Sequence, residues 1–252
     1  MKLKAMMLLL TMAFAGITFA GELDDILSKH IEAIGGEKVL KETATLKADG
    51  KFVMKSPQGE MEIPFNIAMK GGDKIRFDAT MQGMTITQCL NGDKGWQVMP
   101  MMGSTDPQDM SEDEIKPLKE QADYRGDLYD WEKKGHKLEL IGKEDVEGTE
   151  AYNIKLTTKD GDVRHHFLDS EYFLIIKSTG KGKQMGMEFN YEAFPSDYKT
   201  VDGFLMSHSL VQKSEMGEMV FQYNTVERNA AVSDDHFKKP AVAPAAEVKD
   251  NK

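Results

Sequence analysis

The stretch MEIPFNIAM, residues 61–69, decides the fold that this sequence predicts. Apolar side chains occupy every second position, whereas Glu62 and Asn66 lie between them. This alternation is typical of a β-strand with one buried and one solvated face, because successive side chains point to opposite sides of a sheet. We therefore expect the apolar residues to face the concave interior of an antiparallel sheet, with Glu62, Asn66 and Lys70 facing outward.

The same alternation recurs on both sides of this stretch. Gly71-Gly72 separates it from the run 75–81, and Gln82-Gly83 separates that run from residues 84–90. Glycine pairs and Gln-Gly at such positions are typical of hairpin turns. Further runs toward the C-terminus bring the expectation to about eleven strands, which is more than a small open sheet carries without curling. The predicted fold class is α+β, with one strongly curved antiparallel sheet that forms an incomplete β-barrel.

Two regions with helical spacing interrupt the strands. Apolar residues between Glu22 and Ile34 recur at intervals of three and four, and Gly35-Gly36 ends the pattern. In residues 104–131 the alternation disappears, and Ser111 followed three residues later by Glu114 forms a capping box, which predicts one or two helices. We expect the N-terminal helix and this mid-chain insertion to act as a lid over the concave side of the sheet.

The first 20 residues indicate a cleaved signal peptide. Two lysines precede a mostly apolar run, residues 5–19, and Thr18-Phe19-Ala20 offers small residues at the positions that a signal peptidase reads. Cleavage is expected before Gly21, which would place the mature protein in the periplasm. The apolar run is too short to span a bilayer comfortably, so we expect no integral membrane protein.

After the signal peptide, residues 21–237 are expected to form one domain and residues 238–252, rich in Pro, Ala and Lys, a disordered tail. The formal net charge is −10, which argues against a nucleic-acid partner because a phosphate binder needs a basic face. Cys89 is the only cysteine, so no intrachain disulfide is available. We expect a monomer.

Four stretches of the chain resemble a known family in their order and spacing. They are IGGEKVL (residues 34–40), NGDKGW (91–96), LIGKEDVEGTEAY (140–152) and YKTVDGFLMS (198–207). They resemble the bacterial outer-membrane lipoprotein-sorting proteins, the LolA-like half-barrels. The resemblance implies an incomplete barrel of about eleven strands, lidded by helices, with a hydrophobic interior.

The same resemblance implies a function. It suggests a soluble periplasmic binding or carrier protein for lipid, lipoprotein acyl chains or another apolar ligand. The alternative is an envelope sensor or interaction module that contacts a membrane-anchored protein and whose partner binding is modulated by an apolar ligand. Neither function requires catalysis, a cofactor or a metal.

Methionine is the unusual residue type, with 18 in the chain. Its unbranched, polarisable side chain adapts to ligands of variable shape, but it also fills ordinary cores, and the sequence leaves both interpretations open. Together with the resemblance, the pattern predicts a cavity lined by apolar strand residues. The predicted lining residues are Met61, Ile63, Phe65, Ile67, Met69, Phe77, Met81, Met84, Ile86, Trp96, Met187, Phe189, Met206 and Met219.

Catalytic and metal sites find little support. The chain has no Gly-x-Ser-x-Gly elbow, no His-Glu-x-x-His motif and no Gly-rich phosphate loop. Met99, Met101 and Met102 are soft ligands that suit copper, but no His-x-His or Met-His arrangement sits beside them. His165 and His166 are adjacent in a predicted strand, so they point to opposite faces and do not easily share one ion. We expect a non-enzymatic protein.

Overall fold

A computed structural model describes residues 15–56, 59–184 and 187–241. Within these residues, thirteen strands form one sheet. The strands are β1 (Thr45–Ser56), β2 (Gly59–Lys70), β3 (Lys74–Met81), β4 (Met84–Asn91), β5 (Lys94–Met99), β6 (Ser104–Asp109), β7 (Lys137–Val146), β8 (Thr149–Thr157), β9 (Val163–Asp169), β10 (Ile175–Gln184), β11 (Met187–Val201), β12 (Phe204–Ser214) and β13 (Gly217–Arg228). The helices are α1 (Ala15–Ala33), α2 (Gly36–Glu42) and α3 (Glu112–Ala122), with short 3-10 helices at Pro100–Met102 and Asp234–Phe237.

All strand pairs are antiparallel, and the sheet order is β6-β5-β4-β3-β2-β1-β13-β12-β11-β10-β9-β8-β7. Strands β1 and β13 pair in the middle, while β6 and β7 are the two edges, so the sheet is not closed. The segment that contains α3 connects these edges along the chain. This agrees with the predicted open antiparallel sheet carrying an N-terminal helix and a mid-chain helical insertion.

The strand count exceeds the expected eleven, and β6 is a strand that the sequence pattern did not predict. Strand β6 has the sequence STDPQD, whose polar residues show no alternation, and it was expected within the helical insertion. Pro107 is compatible with pairing there because β6 is an edge strand. Strand β11 is unusually long and extends to Val201. The long partner β12 supports this extension by pairing along it as far as Phe204.

The mid-chain insertion contains one regular helix in place of the possible two. Helix α3 begins after Ser111, and the predicted capping box with Glu114 is confirmed, since the Glu114 carboxylate accepts from the Ser111 backbone N–H at 2.8 Å. The last part of the region 104–131 is not helical, because α3 ends at Ala122 and Leu128 and Trp131 lie in the turns that follow, so the helical prediction was wrong for these residues. Leu128 is nevertheless buried, because the turns pack against α1.

The sheet has two distinct faces. We call the face that carries Phe65 and on which α1, α2 and α3 pack the inner face, and the opposite one the outer face. The outer face is covered locally by the 3-10 helix Asp234–Phe237, whose Phe237 packs on Cys89 and Trp96. Burial raises the pKa of the Cys89 thiol to about 12, so Cys89 is an inert core residue.

Glycine in the NGDKGW stretch has a packing role. Gly95 lies on the inner face opposite Leu90, and a Cβ there would stand 2.8 Å from the Ile115 side chain of α3. Only glycine lets the helix approach this closely without displacement. The IGGEKVL and YKTVDGFLMS stretches also meet, since the Leu205 N–H donates to the Ile34 carbonyl at 3.0 Å. The stretches that carry the family resemblance therefore position the helices on the sheet.

The predicted processing sites stay predictions. Residues 1–14 lie outside the described residues, as do residues 242–252 of the predicted tail. Cleavage before Gly21 is therefore untested. In the part of the chain that the structure describes, no helix is long and apolar enough to cross a membrane.

Candidate functional site

Five aromatic rings form a cluster on the inner face. Phe65 stacks on Phe77 with ring centroids 5.5 Å apart and meets Tyr223 edge-on at 5.5 Å. Phe52 lies 5.6 Å from Phe221. These rings come from β1, β2, β3 and β13, which are neighbours in the sheet, and the period-two alternation of each strand brings them to one side. We call this set the aromatic cluster.

Burial along the inner face changes from one end of the strands to the other. At the helix-covered end, Leu46, Ile75 and Leu90 are fully buried beside Ile115 and Leu118 of α3. At the opposite end, side chains on the same strands stay accessible. Phe52, Phe77, Met81 and Phe221 are half-buried, while Met54 and Met61 are 43% and 45% exposed. We call the accessible part of the inner face at this second end the open face.

Most predicted lining residues lie on the inner face, as the backbone pairing establishes. The buried ones are core residues within or next to the aromatic cluster; the accessible ones belong to or border the open face, except Met206, which packs against the core at the helix-covered end. The buried ones are Ile63, Phe65, Ile67 and Met69. The accessible ones are Met61, Phe77, Met81, Met84, Ile86, Phe189, Met206 and Met219.

Two predicted lining residues need separate treatment. Trp96 lies on the outer face, where its indole N–H donates to the Phe237 carbonyl at 3.0 Å. It pairs with Cys89, not with an inner-face residue, so its placement in a cavity was wrong. Met187 belongs to β11, but its side chain lies outside the described residues.

Several inner-face residues were not predicted as lining. Phe52, Phe221 and Tyr223 complete the aromatic cluster, and Leu210 lies directly opposite Phe221 on β12. The signal was present, because Phe221 and Tyr223 alternate with Met219 at period two. These rings are not methionines, the residue type on which most of the lining prediction rested.

A charged cluster lies on the inner face of β9, away from the aromatic cluster. The Arg164 guanidinium contacts Asp127 Oδ2 at 2.7 Å and Glu120 Oε2 at 2.5 Å. Asp127 lies in the turns after α3, and Glu120 lies in α3 itself. Burial alone would raise the pKa of Asp127, but His166 and Arg164 outweigh it and hold that pKa well below its usual range. We call these residues, with His166, the Arg164 cluster.

His166 links this cluster to the sheet. Its Nδ1 lies 2.9 Å from Ser178 Oγ, and its Nε2 lies 3.6 Å from Asp127 Oδ2. These are the residue types of a serine hydrolase triad, but the longer contact is beyond a good hydrogen bond and Asp127 pairs with Arg164 instead. The arrangement therefore fits a contact that fastens the insertion to the sheet, not an activated nucleophile.

The described residues contain no group of three or more His, Cys, Asp or Glu side chains placed to hold a metal ion. The adjacent His165 and His166 point to opposite faces, as expected. His165 Nδ1 lies 2.8 Å from the Asn153 side-chain oxygen on the outer face, whereas His166 contacts Ser178 on the inner face.

Several solved bacterial structures have a similar fold, among them three from different species. A LolA superfamily protein from Nitrosomonas europaea superposes with a TM-score of 0.59 at 15% identity, covering 86% of this chain and 97% of the other. A putative outer membrane lipoprotein-sorting protein domain from Vibrio parahaemolyticus gives 0.59 at 11% identity, with 85% and 95% covered. A DUF1329 family protein from Desulfovibrio piger gives 0.58 at 11% identity, with 85% and 96% covered. No protein-family model matches the sequence, and the comparison with curated proteins found no match.

Proposed function

We propose that this chain, which has a LolA-like fold, is a periplasmic binding and carrier protein that holds a lipid, an acyl chain or another apolar ligand on its open face. The observation that carries the proposal is the accessible aromatic and methionine surface on the inner side of a helix-lidded sheet. Contiguous apolar surface left accessible in a folded protein usually marks a binding site. The periplasmic location rests on the predicted signal peptide, residues 1–20.

Binding would be driven by burial of apolar surface. Each methylene group transferred from water to such a surface contributes about 0.8 kcal/mol, so a long acyl chain gains several kcal/mol even when it is partly covered. The flat rings of Phe52, Phe77 and Phe221 give area at little entropic cost, and Met54, Met61 and Met81 adjust to the ligand's shape.

The β3–β4 hairpin offers a sharp test of this proposal. Met81 is half-buried on the inner face, whereas the neighbouring Thr80 is exposed on the other side. Met81→Glu should raise at least tenfold the concentration of monoacylglycerol needed to displace a fluorescent fatty-acid probe, because a carboxylate in an apolar site is poorly solvated. Thr80→Glu adds the same charge on the opposite side and should leave binding unchanged. Met81→Leu conserves most of the volume and should also bind normally.

Circular dichroism must show that all three variants are folded. A folded Met81→Glu protein that binds like the unsubstituted protein would overturn the assignment of the open face. Absence of any binding by the unsubstituted protein would overturn the carrier function itself.

One observation favours a second function, contact with a membrane-anchored protein. Met54, Met61 and Met216 are all about half exposed at the same end of the sheet, near the β1–β2 and β12–β13 turns. Such exposed side chains suit a partner as well as a ligand. Cross-linking in intact cells through a photoreactive residue at position 216 separates the two, since a pure carrier should yield lipid adducts and no defined protein adduct.

A further inference from the structure

The Arg164 cluster lies on the same inner face as the open face and has no role yet in the proposed function. We infer that Arg164 is the binding site for the anionic headgroup, a carboxylate or a phosphate, of a single-chain amphiphile. This inference rests on the proposed function, because it names the ligand class of that same face. In the structure, the carboxylates of Glu120 and Asp127 occupy the place that the headgroup takes.

The geometry of Arg164 suits an oxyanion. Its planar guanidinium presents several N–H donors in a fixed fork, which matches the oxygens of a carboxylate or a phosphate. The side chain is only 12% exposed, and two of its nitrogens each contact a separate carboxylate. Arg164 Nε and His166 Nε2 are buried without a hydrogen-bond partner among the described residues. The cluster therefore holds two polar atoms that the present partners do not satisfy.

Both present partners belong to the insertion, not to the sheet. Glu120 lies near the end of α3 and Asp127 lies in the turns that follow it. If this segment moves aside to admit a ligand, Arg164 and His166 stay on the sheet because they belong to β9. A buried cation without its partner is strongly unfavourable, so an anion on the ligand would offset a cost that a neutral ligand cannot.

A small pocket opens onto Arg164 between α3 and the sheet. It has a volume of about 250 Å³, and Lys116 and Lys181 line it together with several carboxylates. Asp113, Lys116 and Glu120 are on α3 and would leave with it, whereas Lys181, Asp162 and Glu188 would stay beside Arg164. This pocket gives a charged headgroup a route from solvent to Arg164.

On β10, between the Arg164 cluster and β11, two glycines face the inner side and aromatic rings of β11 lie over them. Gly180 lies opposite Arg164, and a Cβ there would stand 2.9 Å from the Tyr191 hydroxyl. A Cβ on Gly182 would collide with the Phe189 ring. The two glycines therefore let the rings of Tyr191 and Phe189 lie over the sheet, on the side of Arg164 that faces the open face.

The distance from Arg164 to the aromatic cluster fits an acyl chain. From β9 to β13 the sheet order gives four strand spacings, which amounts to about 19 Å along the sheet. An amphiphile with its headgroup at Arg164 would lay its tail across Phe189 and end on the aromatic cluster. The ligand is thus oriented, with its polar end under the insertion.

Two amphiphiles with the same tail test the inference. Isothermal titration with 1-palmitoyl lysophosphatidate and 1-palmitoylglycerol, below their aggregation concentrations, should show at least tenfold tighter binding of the phosphate compound. Arg164→Met should abolish this ratio, and because it also removes both contacts that hold the insertion closed, it should not weaken the binding of palmitoylglycerol. Equal affinities in the unsubstituted protein would overturn the headgroup site and leave the carrier function standing. Failure of both amphiphiles to bind would overturn the proposed function as well.

Glu120→Gln supplies the second arm, which does not depend on the folding of an Arg164 variant. Because it weakens the contact that holds the insertion closed, it should raise the affinity for both amphiphiles by the same factor and leave their ratio unchanged. No change for either amphiphile would overturn the displacement of the insertion. Inorganic phosphate is the remaining probe, and binding as tight as that of the phosphate amphiphile would mean a site for a free anion, contrary to the inference.

Discussion

The two halves of the inner face differ in what covers them. On β8 and β9, Ile154, Leu156 and Leu168 are completely buried against Leu23, Ile26 and Leu27 of α1. On β1, β3 and β13, Phe52, Met81 and Phe221 are half-buried. The half that α1 covers is thus filled, whereas the other half is filled only at its α3-covered end and leaves an accessible apolar surface at the opposite end. The filled half supplies stability, and the accessible half is free to bind.

The boundary between these halves is polar. The Arg164 cluster lies on β9, so it separates the helix-filled region from the path toward the open face. A charged cluster buried between two apolar regions adds little net stability, because desolvation consumes much of the gain from pairing. This position agrees with a role in choosing ligands.

The largest expected effect comes from deleting core volume in the filled half. Leu156→Ala should lower the free energy of unfolding by about 3 kcal/mol, because it leaves a cavity that its tightly packed neighbours cannot fill. Met81→Ala in the accessible half should cost about 1 kcal/mol. Urea unfolding followed by circular dichroism measures both. Equal losses would mean that the two halves are packed alike and that the open face is ordinary core.

The sequence predicted the strands of both halves equally well, but it did not predict which strands a helix would cover. Alternation alone placed Ile63, Phe65 and Ile67 on one face of β2, and that face is the inner one. Alternation reports the side on which a residue lies, whereas its accessibility depends on which helix docks there. The docking of α1 against β8 and β9 is a tertiary choice that no local spacing reveals.

Trp96 shows how register limits such predictions. In the β4–β5 hairpin Cys89 lies opposite Trp96 and Leu90 lies opposite Gly95. A shift of one residue would have exchanged the faces of Gly95 and Trp96, and only the turn geometry decides between the two. The Arg164 cluster was also out of reach, since Glu120 and Asp127 are far from Arg164 in sequence.

The next largest effect concerns the polar boundary. Asp127→Asn should lower the free energy of unfolding at neutral pH by about 2 kcal/mol, because the buried Arg164 would lose one of its two carboxylates. Asp162→Asn, which removes an exposed partner of Lys116, is the matched control and should cost no more than about 0.5 kcal/mol. Similar losses in the two variants would show that the Arg164 cluster is no stronger than a surface pair.

The pH dependence of Asp127 gives the same boundary a second test. Its folded pKa is lowered, so its contribution is present above the usual carboxyl pKa of about 4 and is lost as the pH falls toward the folded value. Stability of the unsubstituted protein should therefore decline below pH of about 4, and the Asp127→Asn variant should decline less steeply there. Acid titration of unfolding free energy compares the two slopes, and parallel curves would contradict the assignment.

A smaller effect should appear where α1 fills the sheet. His30 of α1 is buried, and its Nδ1–H donates to the Phe173 carbonyl at 2.7 Å. Burial lowers the pKa of His30, so the unfolded chain takes up its proton first and stability falls as the pH drops below about 6.5. His30→Asn keeps an N–H donor without a titrating group. It should remove about 1 kcal/mol of the loss between pH 7 and 5, and an unchanged pH profile would show that His30 does not titrate with unfolding.

The smallest expected change separates stability from binding within one strand. Met61 and Met69 both lie on the inner face of β2, but Met61 is 45% exposed and Met69 only 9%. Met69→Ala should cost about 2 kcal/mol of unfolding free energy, because it opens a cavity beneath α2 and α3. Met61→Ala should change stability by less than about 0.5 kcal/mol, since most of its side chain already contacts water.

The same Met61→Ala protein should nevertheless bind a monoacylglycerol several-fold more weakly, because the ligand would lose its contact with the Met61 side chain. A Met61→Ala protein with normal affinity would move the edge of the binding surface inward to Phe52 and Phe221, and one that loses stability as Met69→Ala does would place Met61 in the core.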